Sequence, residues 1–109
     1  MEKPKDSEVV KDFPFLKKLE EKIENGKRPD AKNNKIKRYY QKGTSQIAKK
    51  MGEESVEMVI ASEQGSDENF LEEAADVFFY YLMSLHARGF QLRDVLKILK
   101  KRFKDKEKY

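Results

Sequence analysis

The chain has 109 residues, of which 38% are hydrophobic and 40% charged; that sets one small domain with few apolar side chains for a core of its own, so self-association is the expected remedy. With no Cys and a single His, disulfide scaffolds, thiolate zinc sites, iron–sulfur clusters, Cys nucleophiles and polyhistidine metal sites within one chain are excluded, and carboxylates must hold any metal. There is no bilayer-length apolar run and no signal-peptide pattern at the N-terminus, which gives the expectation of a cytoplasmic protein without membrane contact.

Residues 1–11 are polar and aperiodic and read as a flexible segment; a single all-α domain is expected over 12–104, followed by a flexible tail, 105–109. Asp12 is the expected N-cap of the first helix, with Pro14 in its first turn, Phe15, Leu16, Leu19 and Ile23 at helical spacing, and Asn25-Gly26 as its stop. A connector over 27–34 leads to a short helix, Lys35 to Lys42, with Ile36, Tyr39 and Tyr40 on one side and Gly43 after it. Thr44 or Ser45 is the expected cap of a long helix to about Ser62, whose apolar set is Ile47, Ala48, Met51, Val56, Met58, Val59 and Ile60; Gly65 ends it. Ser66 or Asp67 caps the next helix, which runs to Gly89. From Val77 to Leu82 every position there is apolar or aromatic, so that helix needs cover on nearly all sides, which a second subunit is expected to supply. A last helix, Leu92 to about Lys104, is expected to turn Val95, Leu96, Leu99 and Phe103 inward.

The formal net charge of +4 hides a segregation of sign. Between Met51 and Asp76 stand nine acids and no base, leaving 24 bases against 11 acids elsewhere. Segregated acids repel one another unless a cation or a basic partner neutralises them. On a helix, Glu57 lies about 40° and Glu54 about 100° around from Glu53, so the three converge. Glu73 and Asp76, spaced i,i+3 on the next helix, share a face, and Tyr80 lies one turn beyond Asp76. The short loop at Gly65 makes the two helices antiparallel neighbours, so both acidic clusters can face each other. Several carboxylates on two rigid helices suit Mg²⁺, or Mn²⁺ in its place, and Mg²⁺ held this way implies phosphates as its remaining partners. Lys49 and Lys50 serve equally as compensators of phosphate charge or as i,i+4 partners of Glu53 and Glu54. Glu63, Glu68 and Glu72 read as solvated face. His86 lies off the acid face and reads as structural, and the aromatics from Phe78 to Tyr81 read as core or subunit seam. The Lys-rich C-terminal helix comes with no nucleic-acid-binding motif, so a nucleic-acid partner is not expected.

The segment Ile47-Ala-Lys-Lys-Met-Gly-Glu-Glu-Ser-Val-Glu-Met-Val-Ile-Ala61, with Glu72-Glu-Ala-Ala-Asp-Val-Phe-Phe-Tyr80, Ala87-Arg-Gly-Phe90 and Asp94-Val-Leu96 behind it, resembles phosphoribosyl-ATP pyrophosphohydrolase, a family within the all-α nucleoside triphosphate pyrophosphohydrolases that include MazG-type enzymes and dimeric dUTPases. The resemblance implies a MazG-like antiparallel helical bundle completed by homodimerisation. It also implies Mg²⁺-dependent hydrolysis of phosphoribosyl-ATP to phosphoribosyl-AMP and pyrophosphate, a step of histidine biosynthesis. By the same match Glu53, Glu54, Glu57 and Asp76 are metal-binding acids and Glu73 is the remaining acid of the motif, counted with them as a ligand. The match does not settle the general base; a carboxylate not fully committed to metal can orient or deprotonate the water, which makes Glu53 and Glu73 the candidates, while Lys49 and Lys50 are substrate-phosphate candidates by their charge and spacing alone. The chain departs from the family pattern at Asn34-Lys35-Ile36, where Ser-Tyr-Thr is common, at Gln46 in place of Arg, and at Tyr80 in place of His. A broader nucleoside triphosphate pyrophosphohydrolase and a non-catalytic nucleotide- or metal-binding helical dimer are the alternative readings.

Overall fold

A computed structural model describes residues 13–105. The flexible ends expected over 1–11 and 105–109 lie outside the described residues, apart from Asp105. Among the described residues five helices follow one another: α1, Pro14–Asn25; α2, Lys35–Lys42; α3, Thr44–Gln64; α4, Asp67–Ala87; and α5, Leu92–Lys104. No strand occurs among the described residues, so the all-α expectation holds, as do the turn at Gly65 and the last helix.

Helices α3 and α4 form the backbone of the molecule. Their two-residue connector, with the Gly65 amide donating to the Ala61 carbonyl and the Ser66 hydroxyl accepting from the Asn69 amide, closes them into an antiparallel hairpin. On α3, Ile47, Met51, Glu54, Met58 and Ala61 are among the side chains turned from solvent, and their alternating steps of four and three make a coiled-coil-like seam. Opposite them the second half of α4 supplies Tyr80, Leu82 and Met83, which with Ile23 of α1, Ile36 of α2 and Ile47 make the core. The core therefore occupies one end of the hairpin, while the end near Gly65 projects from it. The radius of gyration, 15.9 Å, exceeds the roughly 13 Å of a rounded domain this size.

Helix ends depart from the expected caps. Position N-cap of α1 is Phe13, with no side-chain cap, and Asp12 lies outside the described residues. Thr44 and Ser45 are already helical, and Gly43, at φ 104° and ψ 168°, forms the α2–α3 corner by itself. An L side chain is strained in that backbone region, and glycine is not. Asn34, in contrast, caps α2 by accepting from the Lys37 amide at 3.0 Å.

The expected inward face of α5 is a correction. Val95 is half-buried, but Leu96, Leu99 and Phe103 are 39, 41 and 76% exposed. After the turn at Gly89 the helix leaves the body, joined to it through Leu92. Val56, Val59 and Ile60 of α3 and Leu71 of α4 are likewise open. Periodicity marks a stripe as one to be covered; it does not say that the same chain covers it.

Candidate functional site

The hairpin seam carries two acids where its packing calls for apolar side chains. Glu54 stands between Met51 and Met58 on α3, with 12% of its side chain exposed, and Glu73 is half-buried on α4. Glu57, more exposed, joins them so that one carboxylate oxygen of each residue lies within 4.8 Å of the others. Glu73 Oε2 is enclosed and has no hydrogen-bond partner among the described residues. A carboxylate oxygen in that state is costly unless it is protonated or meets a cation. Burial, and then the neighbouring Glu57 and Glu54 carboxylates, raise the Glu73 pKa from 4.5 to about 7. The triad is thus a concentration of negative charge that the fold holds together without a cation of its own on Glu73 Oε2.

Two of the acids expected in this set stand apart from it. Glu53 turns to the lysines one turn back, its oxygens 4.0 Å from Lys49 and 3.6 Å from Lys50, and Asp76 is exposed. Both flank the triad in sequence, Glu53 beside Glu54 and Asp76 one turn beyond Glu73. Lys49 is mostly open to solvent, whereas Lys50 also reaches Glu54 at 3.5 Å. Burial works against the Lys50 ammonium, but the Tyr39, Tyr80 and Glu54 side chains outweigh it and hold its pKa above the usual range. The i,i+4 pairing of these lysines with the acids is therefore realised.

Beyond Lys50 the seam turns aromatic. Tyr80 is 3% exposed, packed edge-on to Tyr39 at 5.5 Å and Phe79 at 5.3 Å between ring centroids. Its hydroxyl donates to that of Tyr39 at 3.5 Å, a bond that, with burial, raises the Tyr39 pKa. The Lys50 ammonium is 5.9 Å and the Lys35 ammonium 5.2 Å from the Tyr80 ring centre. Tyr40 donates to the Met83 carbonyl at 2.9 Å, fixing α2 against α4, and burial pushes its own pKa up. The sequence placed Tyr80 on the acid side of α4, but the pairing with Tyr39 and the approach of Lys35 depend on how α2 docks, which no periodicity in α2 reports.

His86 has the structural role expected of it, with partners the sequence left unnamed. Its Nδ1 is 2.6 Å from Glu24 Oε2 and its Nε2 3.0 Å from Glu20 Oε1, while Lys27 donates to both Glu24 and the His86 carbonyl and the Leu92 amide donates to Glu20 at 2.8 Å. One network thus ties α1, the end of α4 and the start of α5. Burial opposes ionisation of Glu24, but the Lys27 and His86 hydrogen bonds outweigh it and lower its pKa. The i,i+4 spacing of Glu20 and Glu24 on α1 was the available signal.

Comparison with known proteins shows the family of the chain. The family model of phosphoribosyl-ATP pyrophosphohydrolase matches residues 16–103. The chain is 40% identical to the phosphoribosyl-ATP pyrophosphatase of Erythrobacter litoralis over 80% of its length and 84% of the relative's, and 37% identical to that of Pyrobaculum calidifontis over 82 and 95%. It is also 33% identical to the histidine biosynthesis bifunctional protein HisIE of Buchnera aphidicola over 84% of its own length but 44% of the relative's, so it spans less than half of such bifunctional proteins. With every acid of the motif on the α3–α4 hairpin and the match running from α1 to α5, the chain belongs to the phosphoribosyl-ATP pyrophosphohydrolase family.

Proposed function

We propose that this chain hydrolyses phosphoribosyl-ATP between its α and β phosphates, giving phosphoribosyl-AMP and pyrophosphate in histidine biosynthesis, and that it works in the cytoplasm as a homodimer. Family membership supports the reaction. The observation that carries the site is the enclosed, unpartnered Glu73 Oε2 beside two more carboxylates on a hairpin seam. An oxygen-only donor set of this kind fits a hard divalent ion, Mg²⁺ in our reading with Mn²⁺ as a substitute. Glu54, Glu57 and Glu73 would hold it, with Glu53 and Asp76 as further ligands from the flanks. Bound there, the ion would neutralise phosphate charge and make a water more acidic.

The chain's own residues do the rest. Glu53, outside the tight triad, is our first choice for the carboxylate that orients or deprotonates the attacking water, and Glu73 the second. Lys49 and Lys50 set positive charge beside the acids for the substrate's phosphates as point charges. The open apolar stripes of α3, α4 and α5 support the dimer, because together they leave more apolar side chain in water than a small monomer keeps.

The test is pyrophosphate release from phosphoribosyl-ATP with Mg²⁺, run beside the common NTPs and dNTPs and with EDTA as control. Release from phosphoribosyl-ATP alone, abolished by EDTA, is the expected result. Release from ordinary NTPs would overturn the substrate in favour of a house-cleaning pyrophosphohydrolase, and nucleotide binding without turnover would overturn the enzyme reading altogether.

A further inference from the structure

Lys35 opens α2 with its ammonium against two aromatic faces, 5.4 Å from the centre of Phe79 and 5.2 Å from that of Tyr80. No carboxylate lies within ion-pair distance of it among the described residues. An aromatic face attracts a cation through its quadrupole and leaves the net charge in place, so Lys35 keeps its charge for an anion where Lys49 and Lys50 share theirs with acids. The platform under it is rigid: Tyr80 is nearly sealed and braced edge-on by Tyr39 and Phe79, and the Tyr40 bond to Met83 holds α2 in place.

Position along α4 decides which anion. Tyr80 is seven residues beyond Glu73, two turns on the same face, which is about 10 Å of helix rise. Lys50 bridges the interval, touching Glu54 on one side and the Tyr80 ring on the other. A phosphate adjacent to the scissile bond belongs with the acids and Lys50; a cation two turns away suits a phosphate at the far end of the substrate. Phosphoribosyl-ATP has such a group on its second ribose, and ordinary nucleoside triphosphates have none.

We propose that Lys35, held over Tyr80 and Phe79, binds the terminal phosphate of the substrate's second ribose and so selects phosphoribosyl-ATP over nucleoside triphosphates. This rests on the functional reading above, and its test separates the two. Ribose 5-phosphate and inorganic pyrophosphate are titrated by NMR into the full chain and into Lys35→Met and Lys35→Arg, and phosphoribosyl-ATP turnover is measured on the same three proteins. Ribose 5-phosphate affinity should fall about tenfold in Lys35→Met and recover in Lys35→Arg, with pyrophosphate affinity unchanged in both. The KM for phosphoribosyl-ATP should rise about tenfold in Lys35→Met with kcat within about twofold, on the scale of one charge-assisted hydrogen bond. Equal ribose 5-phosphate affinity in wild type and Lys35→Met, or parallel loss of pyrophosphate, would overturn the subsite. A wild type that binds ribose 5-phosphate through Lys35 yet leaves phosphoribosyl-ATP intact would overturn the functional reading and not the subsite.

Discussion

Replacing Glu73 by Gln keeps the shape of the side chain and removes its ionisable carboxyl, which separates two of its effects. Under the proposed function, Glu73→Gln and Glu54→Gln should each lower pyrophosphate release by about 100-fold or more, the scale of losing a positioned acid–base group, Glu54 acting as a proposed ligand of the ion and Glu73 as ligand or base; a steady-state assay checks this. On stability, Glu73 is an acid whose folded pKa, about 7, lies above its ordinary 4.5. Its contribution is therefore fully present below pH 4.5, is lost as pH rises toward 7, and stays lost above it. In chelator, the urea midpoint of the wild type should fall between pH 5 and 8 by more than that of Glu73→Gln, and saturating divalent cation should narrow the difference. Glu24 has the opposite sign: its lowered pKa gives stability above its ordinary value that disappears as pH falls. His86→Ala removes the hub between Glu20 and Glu24, and should cost about 2 kcal/mol in urea unfolding, the value of charge-assisted bonds to partly exposed partners, with kcat unchanged. The seam acids were legible from i,i+3 and i,i+4 spacing. That Glu53 and Asp76 stand outside the tight triad was not, because spacing fixes a face to within a third of a turn and the choice of rotamer decides the contact.

At the level of elements, helix existence was written in apolar periodicity and helix ends were not. The stop at Gly65 and the cap at Ser66 follow from residue type. The expected caps at Asp12 and Thr44 gave way to Phe13 and Gly43, since a side chain can cap only where the incoming backbone lets it reach the first turn. Gly43 deserves a direct test. A Cβ built there meets nothing within 4 Å, so the cost of Gly43→Ala is backbone strain alone, about 1–3 kcal/mol, read as a lowered urea midpoint. Because that corner orients α2, and with it Lys35 and Tyr39, the same variant should also raise KM. Gly26 answers to a different constraint, a close approach: an added Cβ would collide with the Ile36 side chain, so the packing of α2 on the end of α1 would have to shift.

For the whole molecule the open stripes decide. Val59 is 64% exposed and Phe103 76%, and both belong to faces that the sequence marked for burial. Under the proposed dimer, Val59→Glu should shift the sedimentation coefficient from that of a dimer to that of a monomer while the far-UV helical signal persists; an unchanged coefficient would show that α3 meets no partner there. Which stripes close within the chain and which, under the proposed dimer, would close between chains could not be read in advance, because amphipathic patterning is the same for both.

The acids that meet across the hairpin seam are separated by fewer than twenty positions along the chain. Closing a loop of that length is among the fastest and least entropically demanding events available to a polypeptide. Closing early, as so short a loop allows, the hairpin would bring the carboxylates face to face ahead of α1 and α5, and their mutual repulsion would fall on the folding transition state. A divalent cation added at the start of refolding should consequently speed the folding limb of the chevron more than it slows the unfolding limb. An ion bound by these acids would then also act, during refolding, as an aid to assembly.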